Sequence, residues 1–198
     1  MTSTVQPEPL KERRSRQTTE GAIPATNGSS LDLGRAVGAI ARRLDPQSGA
    51  LSRGESAELR RISPGKPFTP TLWRILYELD RADAPGWINQ AEWERRWATL
   101  LMCMAYCPGL HDYHVPLGSG LAKAGWSELR FARLLRAERE GLEIGLRRMA
   151  QYLSSKTQPV DWTDVARLLF YQKGDTGEDI RLSIARTYYR TVYAQQQE

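Results

Sequence analysis

Cys103, Cys107, His111 and His114 place two thiols and two imidazoles within one short stretch, spaced C-x3-C-x3-H-x2-H. Thiolate sulfur and imidazole nitrogen are the ligand types of tetrahedral zinc, so the cluster raises metal chemistry first. Its intervals differ from the usual C-x2-C and H-x3-H spacings. Cys103 and Cys107 also fall on a Trp-, Leu- and Met-rich helical stretch that needs small apolar side chains, which free cysteine commonly supplies. An i,i+4 disulfide inside a helix has poor geometry. The expectation is therefore core cysteines and loop histidines, with no metal and no cofactor.

A second group has different chemistry. WSELRFARLLRAEREGLEIGLRRM, beginning at Trp126, carries Arg130, Arg133, Arg136, Arg139, Arg147 and Arg148 beside a regular apolar stripe. Guanidinium groups bind phosphate in bidentate fashion, so such a row suits a polyanion. Wound as one helix at about 100° per residue, Phe131, Leu134, Leu135, Leu142, Leu146 and Met149 share a face. Arg133, Arg136 and Arg147 then lie roughly opposite, with Arg130 and Arg148 on the flank. Glu140 and Glu143 interrupt the ridge, which leaves two readings open. The arginines are ion-pair partners on a solvated face, or they form a phosphate track.

Other catalytic arrangements do not assemble. GSGLAKAG, with Gly118, Gly120 and Gly125, lacks the GxGxxG spacing and follows no strand, so it is not read as a nucleotide loop; Lys123 is kept as a candidate single phosphate contact. Both histidines sit in one loop, and GxSxG, HExxH and paired-carboxylate motifs are missing. Asp161 and Asp175 read as helix caps. Trp73, Trp93, Trp97, Trp126, Trp162, Tyr188 and Tyr189 fall mostly at core spacing. The chain is not expected to be an enzyme.

The elements that must hold these residues are helical. Residues 1–30 are rich in Ser, Thr and Gln, contain Pro7, Pro9, Gly21 and Pro24, and read as a disordered tail. Leu33, Val37, Ile40, Ala41 and Leu44 recur at helical spacing until Asp45-Pro46. GESAELRRI (54–62) is a second short helix, and Thr69-Pro70 opens a third as N-cap and N1. A fourth begins near Asn89 and ends before Pro108-Gly109. HDYHVPLGSG reads as a loop, Ser127 as the cap of one arginine-rich helix to about Leu153, and Asp161 as the cap of a helix to Tyr171. Gly174 to Gly177 read as a turn, with a last helix over about 178–194. The expected fold is all-α: a tail (1–30) and two small helical bundles (31–118 and 119–198).

Composition permits this. A chain of 198 residues with 40% hydrophobic content can bury one sizeable core or two small ones. No apolar run reaches the roughly 20 residues of a membrane span, and two cysteines do not make a secreted disulfide scaffold, so a soluble cytoplasmic protein is expected. The formal net charge is +5 and the pI about 9.4. Of the 28 cations only Lys11, Lys66, Lys123, Lys156 and Lys173 are lysines, a bias that fits nucleic acid and equally a GC-rich genome.

Several segments, taken in order, resemble the CasB family, the small subunit of the type I-E CRISPR complex Cascade. They are GESAELRRI with a proline break before LWRIL, the helix ending MCMAYC, VPLGSGLAKAGWSELRFARLLRAE, LRRMAQYLSS, PVDWTDVARLLFYQ and IRLSIARTYY, spanning about residues 31–194. The resemblance implies an all-helical, non-enzymatic subunit in antiviral defence, present as two copies. Its implied partners are the backbone and large Cascade subunits, the guide RNA, and the target and displaced DNA strands. Its implied role is to hold the displaced non-target strand without reading sequence. Carried over by position, the phosphate contacts expected are Arg60, Arg61, Lys66, Lys123, Arg130, Arg133, Arg136 and Arg147. The alternative is a helical scaffold or adaptor whose basic surface serves protein partners.

Overall fold

The computed structural model describes Met1 and residues 32–197 except 49, 64, 65 and 67. Apart from Met1, the tail expected over 1–30 lies outside the described residues. Among those described, the chain is all-α, with elements α1 (Leu33–Leu44), α2 (Arg53–Arg60), α3 (Pro70–Glu78), α4 (Gln90–Tyr106), α5 (Leu117–Lys123), α6 (Glu128–Arg136), α7 (Arg139–Ser155), α8 (Trp162–Phe170) and α9 (Gly174–Gln195). The only β pairing among them is two isolated bridges, Ser63 with Lys66 and His111 with Val160.

Helix starts follow from local chemistry. The side chains of Asp32, Ser52, Thr69, Asn89 and Asp161 each accept a backbone N–H from the first turn of the helix that follows. Each bond satisfies one of the donors a helix start leaves open. Ser52 and Glu55 form a reciprocal capping box, and Pro70 occupies N1 of α3, where its missing N–H costs nothing.

Helix α4 is the centre of the core. Trp93, Trp97 and every residue from Ala98 to Ala105 are buried, because α2, α7 and α8 pack around it. Trp93, Trp97 and Phe170 meet edge to face or tilted, with centroids 4.8–5.6 Å apart. Residues Asp32–Glu198 group as one compact unit, and the seam expected near residue 118 falls in the first turn of α5.

Three local expectations are corrected. Leu117–Lys123 is a helix rather than the end of a loop. Gly118 and Gly120 are there for closeness: a Cβ on Gly118 would lie 2.1 Å from the Ile184 carbonyl oxygen, and one on Gly120 2.4 Å from Val160 Cγ1. The absent side chain at Gly118 lets α5 lie directly on α9, and that at Gly120 admits the segment before α8. The second correction is that residues 127–153 are two helices, not one. Ala137 and Glu138 are extended, and Arg139 takes a positive φ of 47°. No Pro or Gly marks the break; α6 folds across α7 instead, with Leu134 Cδ1 against the side-chain-free site at Gly145, where a Cβ would be 3.0 Å away. Third, α9 begins at Gly174, so the turn read over 174–177 is confined to the residues before it. Gly174 itself has φ 69°, Lys173 is the N-cap, and Asp175 sits in the first turn without capping.

Candidate nucleic-acid interface

The break after Arg136 creates the site. Phe131 and Leu134, three residues apart, are the buried side of α6 (1% and 3% exposed). Phe131 stacks on Tyr188 with centroids 3.8 Å apart and planes within 8°, and the Tyr188 hydroxyl donates to the Trp126 carbonyl at 2.5 Å. These contacts fix α6 to α9. With that side inward, Arg130, Arg133 and Arg136, also at intervals of three, are exposed.

A groove of about 630 Å³ runs between α6 and α7. Arg130 and Arg133 line it from α6; Arg148, Gln151 and Tyr152 line it from α7. Leu134, Ile144 and the backbone at Gly141 and Gly145 supply its apolar part. Among the described residues no Asp or Glu lines it. The Arg130 guanidinium lies 5.6 Å from the Trp126 ring centroid, and Lys156 Nζ lies 5.8 Å from that of Tyr152. The two rings meet at 4.9 Å and 66°, and the Tyr152 hydroxyl donates to the Ala124 carbonyl at 2.8 Å. The aromatic pair thus holds a cation at each end. A cleft lined by charges of one sign focuses field and raises the local concentration of counter-charge.

Among the described residues the groove arginines are not paired with carboxylates. Among the described residues the ion pairs involve Arg43, Arg74, Arg96 and Arg167, and none of the groove cations. Glu128 instead accepts from the Tyr189 hydroxyl at 2.9 Å. Glu143 faces away from the groove, in a small cavity with Arg95 and Arg147, where burial raises its carboxyl above the ordinary range against the pull of Arg95.

Arg130 and Arg133 are brought together in the groove, and Arg136 ends the same helix, exposed. Arg147 is separated from them: it lies partly buried on the other side of α7 and donates to the Ile62 carbonyl. Lys123 is exposed at the end of α5. Arg60 and Arg61 sit at the end of α2, the first partly exposed with its carbonyl accepting from Tyr106, the second exposed at the C-cap. Lys66 is exposed and its backbone pairs with Ser63. These three do not line the α6–α7 groove. Arg148, on the flank of a continuous wheel, becomes a groove residue once the helix breaks. Its only sequence signal is its position four residues before Tyr152.

The described parts of the Cys/His stretch do not converge. Cys103 and Cys107 are buried free thiols, with Cys107 Sγ hydrogen-bonded to the Ala150 carbonyl at 3.2 Å. His111 Nδ1 accepts from the Trp162 N–H at 3.3 Å, and His114 is exposed. Among the described residues, no three His, Cys, Asp or Glu side chains are placed to hold a metal ion. Likewise no described helix is long and apolar enough to cross a membrane.

Comparison with known proteins gives consistent results. The family profile of CRISPR-associated protein Cse2 matches residues 55–189, about two thirds of the chain and all of the groove. None of the curated proteins matches the sequence. Among solved structures, a chain of E. coli Cascade bound to a PAM-containing double-stranded DNA target is similar at 23% identity, over 79% of this chain and 95% of that one, with a TM-score of 0.59. CasB from Thermobifida fusca is similar at 18% identity over the same shares, with a TM-score of 0.57. At these identities the likeness shows a shared fold, and the profile match adds the lineage: the chain belongs to the family of CRISPR-associated protein Cse2.

Proposed function

We propose that the protein is the small subunit of a type I-E Cascade complex in CRISPR defence, and that it holds the displaced non-target strand by its phosphates. The observation that carries this is the α6–α7 groove, which among the described residues has three guanidinium groups and no carboxylate in its lining. Exchanging a DNA duplex for an RNA–DNA duplex is nearly balanced, so neutralising the phosphates of the freed strand tips the exchange forward without reading sequence. Arg130, Arg133 and Arg148 form the centre of the track. Arg136 and Lys123 extend it. Arg60, Arg61 and Lys66 form a separate basic patch toward guide RNA or a neighbouring subunit. The partners are the backbone and large subunits, the guide RNA and both DNA strands, with two copies of this chain per complex, in the cytoplasm and without catalysis of its own.

The test is binding of single-stranded DNA by the full chain as a function of salt. Each phosphate contact on a single strand contributes about 0.7 to the slope of log K against log salt. Arg130→Ala, Arg133→Ala and Arg148→Ala together therefore flatten the slope by about 2, which is about 20-fold in affinity between 50 and 200 mM salt. Helical circular dichroism stays unchanged. An unaltered slope removes the groove from the account. Wild-type protein that ignores single-stranded DNA at low salt, yet copurifies with large protein partners, favours the adaptor reading instead.

A further inference from the structure

Trp87 lies in the loop between α3 and α4 and is 54% exposed, although it joins the core aromatic cluster. The edge contact with buried Trp93, centroids 6.2 Å apart at 87°, fixes its orientation. Its plane lies within 17° of the Tyr171 ring, with centroids 6.2 Å apart. A cavity of about 240 Å³ opens at this pair, walled also by Phe170, Gln172, Lys173 and Arg96, with no carboxylate among the described residues of its lining. Arg96 is occupied by Glu92 at 2.9 Å and by the Phe170 carbonyl at 2.9 Å. Lys173 is exposed and has no ion pair among the described residues.

Two nearly parallel ring faces and an ammonium with no ion pair among the described residues make a site for a flat, anionic ligand. The volume suits one planar ring system and not a helix or strand. A second observation ties the cavity to α6. Arg181 Nε donates to the Leu135 carbonyl at 3.0 Å while its Nη1 donates to the Gln172 carbonyl at 3.0 Å. One guanidinium therefore joins the cavity wall to the end of α6, where Arg136 follows.

We propose that this cavity takes a single unpaired nucleobase of a bound strand, stacked on Trp87 and Tyr171, with Lys173 on the adjoining phosphate. The inference rests on the phosphate-track reading and adds a base-dependent contact to it. Stacking of this kind is tolerant of sequence, because every base has a π-face.

The experiment compares oligodeoxythymidylate with an abasic strand of equal length, on the full chain. Wild-type protein binds the thymidylate more tightly. Trp87→Leu, which keeps an apolar cover over Trp93, loses about 5- to 150-fold on thymidylate and little on the abasic strand. Trp87→Phe retains most of the affinity. Trp87→Leu that binds both strands as wild type does, or loses equally on both, overturns the pocket. If Trp87→Leu melts at lower temperature, Tyr171→Leu carries the same comparison, whereas Lys173→Ala, which removes a phosphate contact, loses equally on both strands. The triple arginine variant separates the two readings. Normal binding by it with weakened binding by Trp87→Leu removes the track and keeps the pocket; the converse removes the pocket alone. Wild-type protein that binds neither strand overturns both.

Discussion

Replacing Gly118 with alanine tests the packing that holds α6 in place. Alanine is ordinarily the better helix residue by about 1 kcal/mol. Here the new Cβ would lie 2.1 Å from the Ile184 carbonyl oxygen, 2.4 Å from Thr187 Oγ1 and 2.7 Å from the Tyr188 nitrogen. The first and third are backbone atoms of α9, which cannot rotate aside, so α5 and α9 must separate. Overpacking of that kind costs about 1–3 kcal/mol, with backbone contacts at the upper end, and the net loss is about 2 kcal/mol. For a chain of this size that lowers Tm by about 4–8 °C. Gly141→Ala in α7 is the control. Its Cβ would meet only Ala137 Cβ at 4.0 Å, so it raises Tm by about 1–4 °C. Thermal melts and urea titrations of the two variants beside wild type give the answer. Gly118→Ala melting at or above the wild-type temperature refutes the close approach of α5 and α9, and with it the anchoring of α6 through Tyr188.

Three further outcomes are expected. Arg147→Ala leaves the Ile62 carbonyl without its donor and lowers unfolding stability by about 1–3 kcal/mol, while the salt slope for single-stranded DNA stays as in wild type; a flattened slope makes Arg147 a strand contact. Burial holds the His111 imidazole below its ordinary pKa against the pull of Asp161 and Asp112, so the unfolded chain binds that proton more readily. Its contribution is complete above about pH 6.5 and is lost as pH falls below that. In urea titrations His111→Gln therefore loses less stability than wild type between about pH 7.5 and 5, and parallel profiles contradict this. Burial pushes the Cys107 thiol up to about 12 and the Cys103 thiol higher still. Ellman's reagent should find neither thiol in the native protein and both in denaturant, and rapid native labelling contradicts their burial.

Helix starts were the most legible feature, because a cap is local chemistry. Thr69-Pro70, Asn89 and Asp161 announce α3, α4 and α8, and the 3.6-residue spacing of Leu33, Val37, Ile40 and Leu44 announces α1. Tertiary packing hid the rest. Gly118 and Gly120 look like loop punctuation, yet Gly118 is a contact point between α5 and α9, and Gly120 packs against the segment that leads into α8. The Ala137–Glu138 break has no breaker residue, since docking of Phe131 and Leu134 and the vacancy at Gly145 impose it from outside the segment. A helical wheel holds only along an unbroken axis. It therefore grouped Arg147 with Arg133 and left Arg148 on the flank, whereas the folded chain places Arg148 in the groove and ties Arg147 to Ile62. Trp87 gave no periodic signal because it lies in a loop.

The central claim is that the α6–α7 groove meets the displaced strand. A benzophenone amino acid in place of Gln151, which is exposed and lines that groove, puts a short-range photo-crosslinker where the strand should lie. In assembled complex on a double-stranded target, irradiation should join this chain to the labelled displaced strand, and Arg130→Ala with Arg133→Ala should abolish the product. Crosslinks confined to protein subunits or to the target strand would contradict the account.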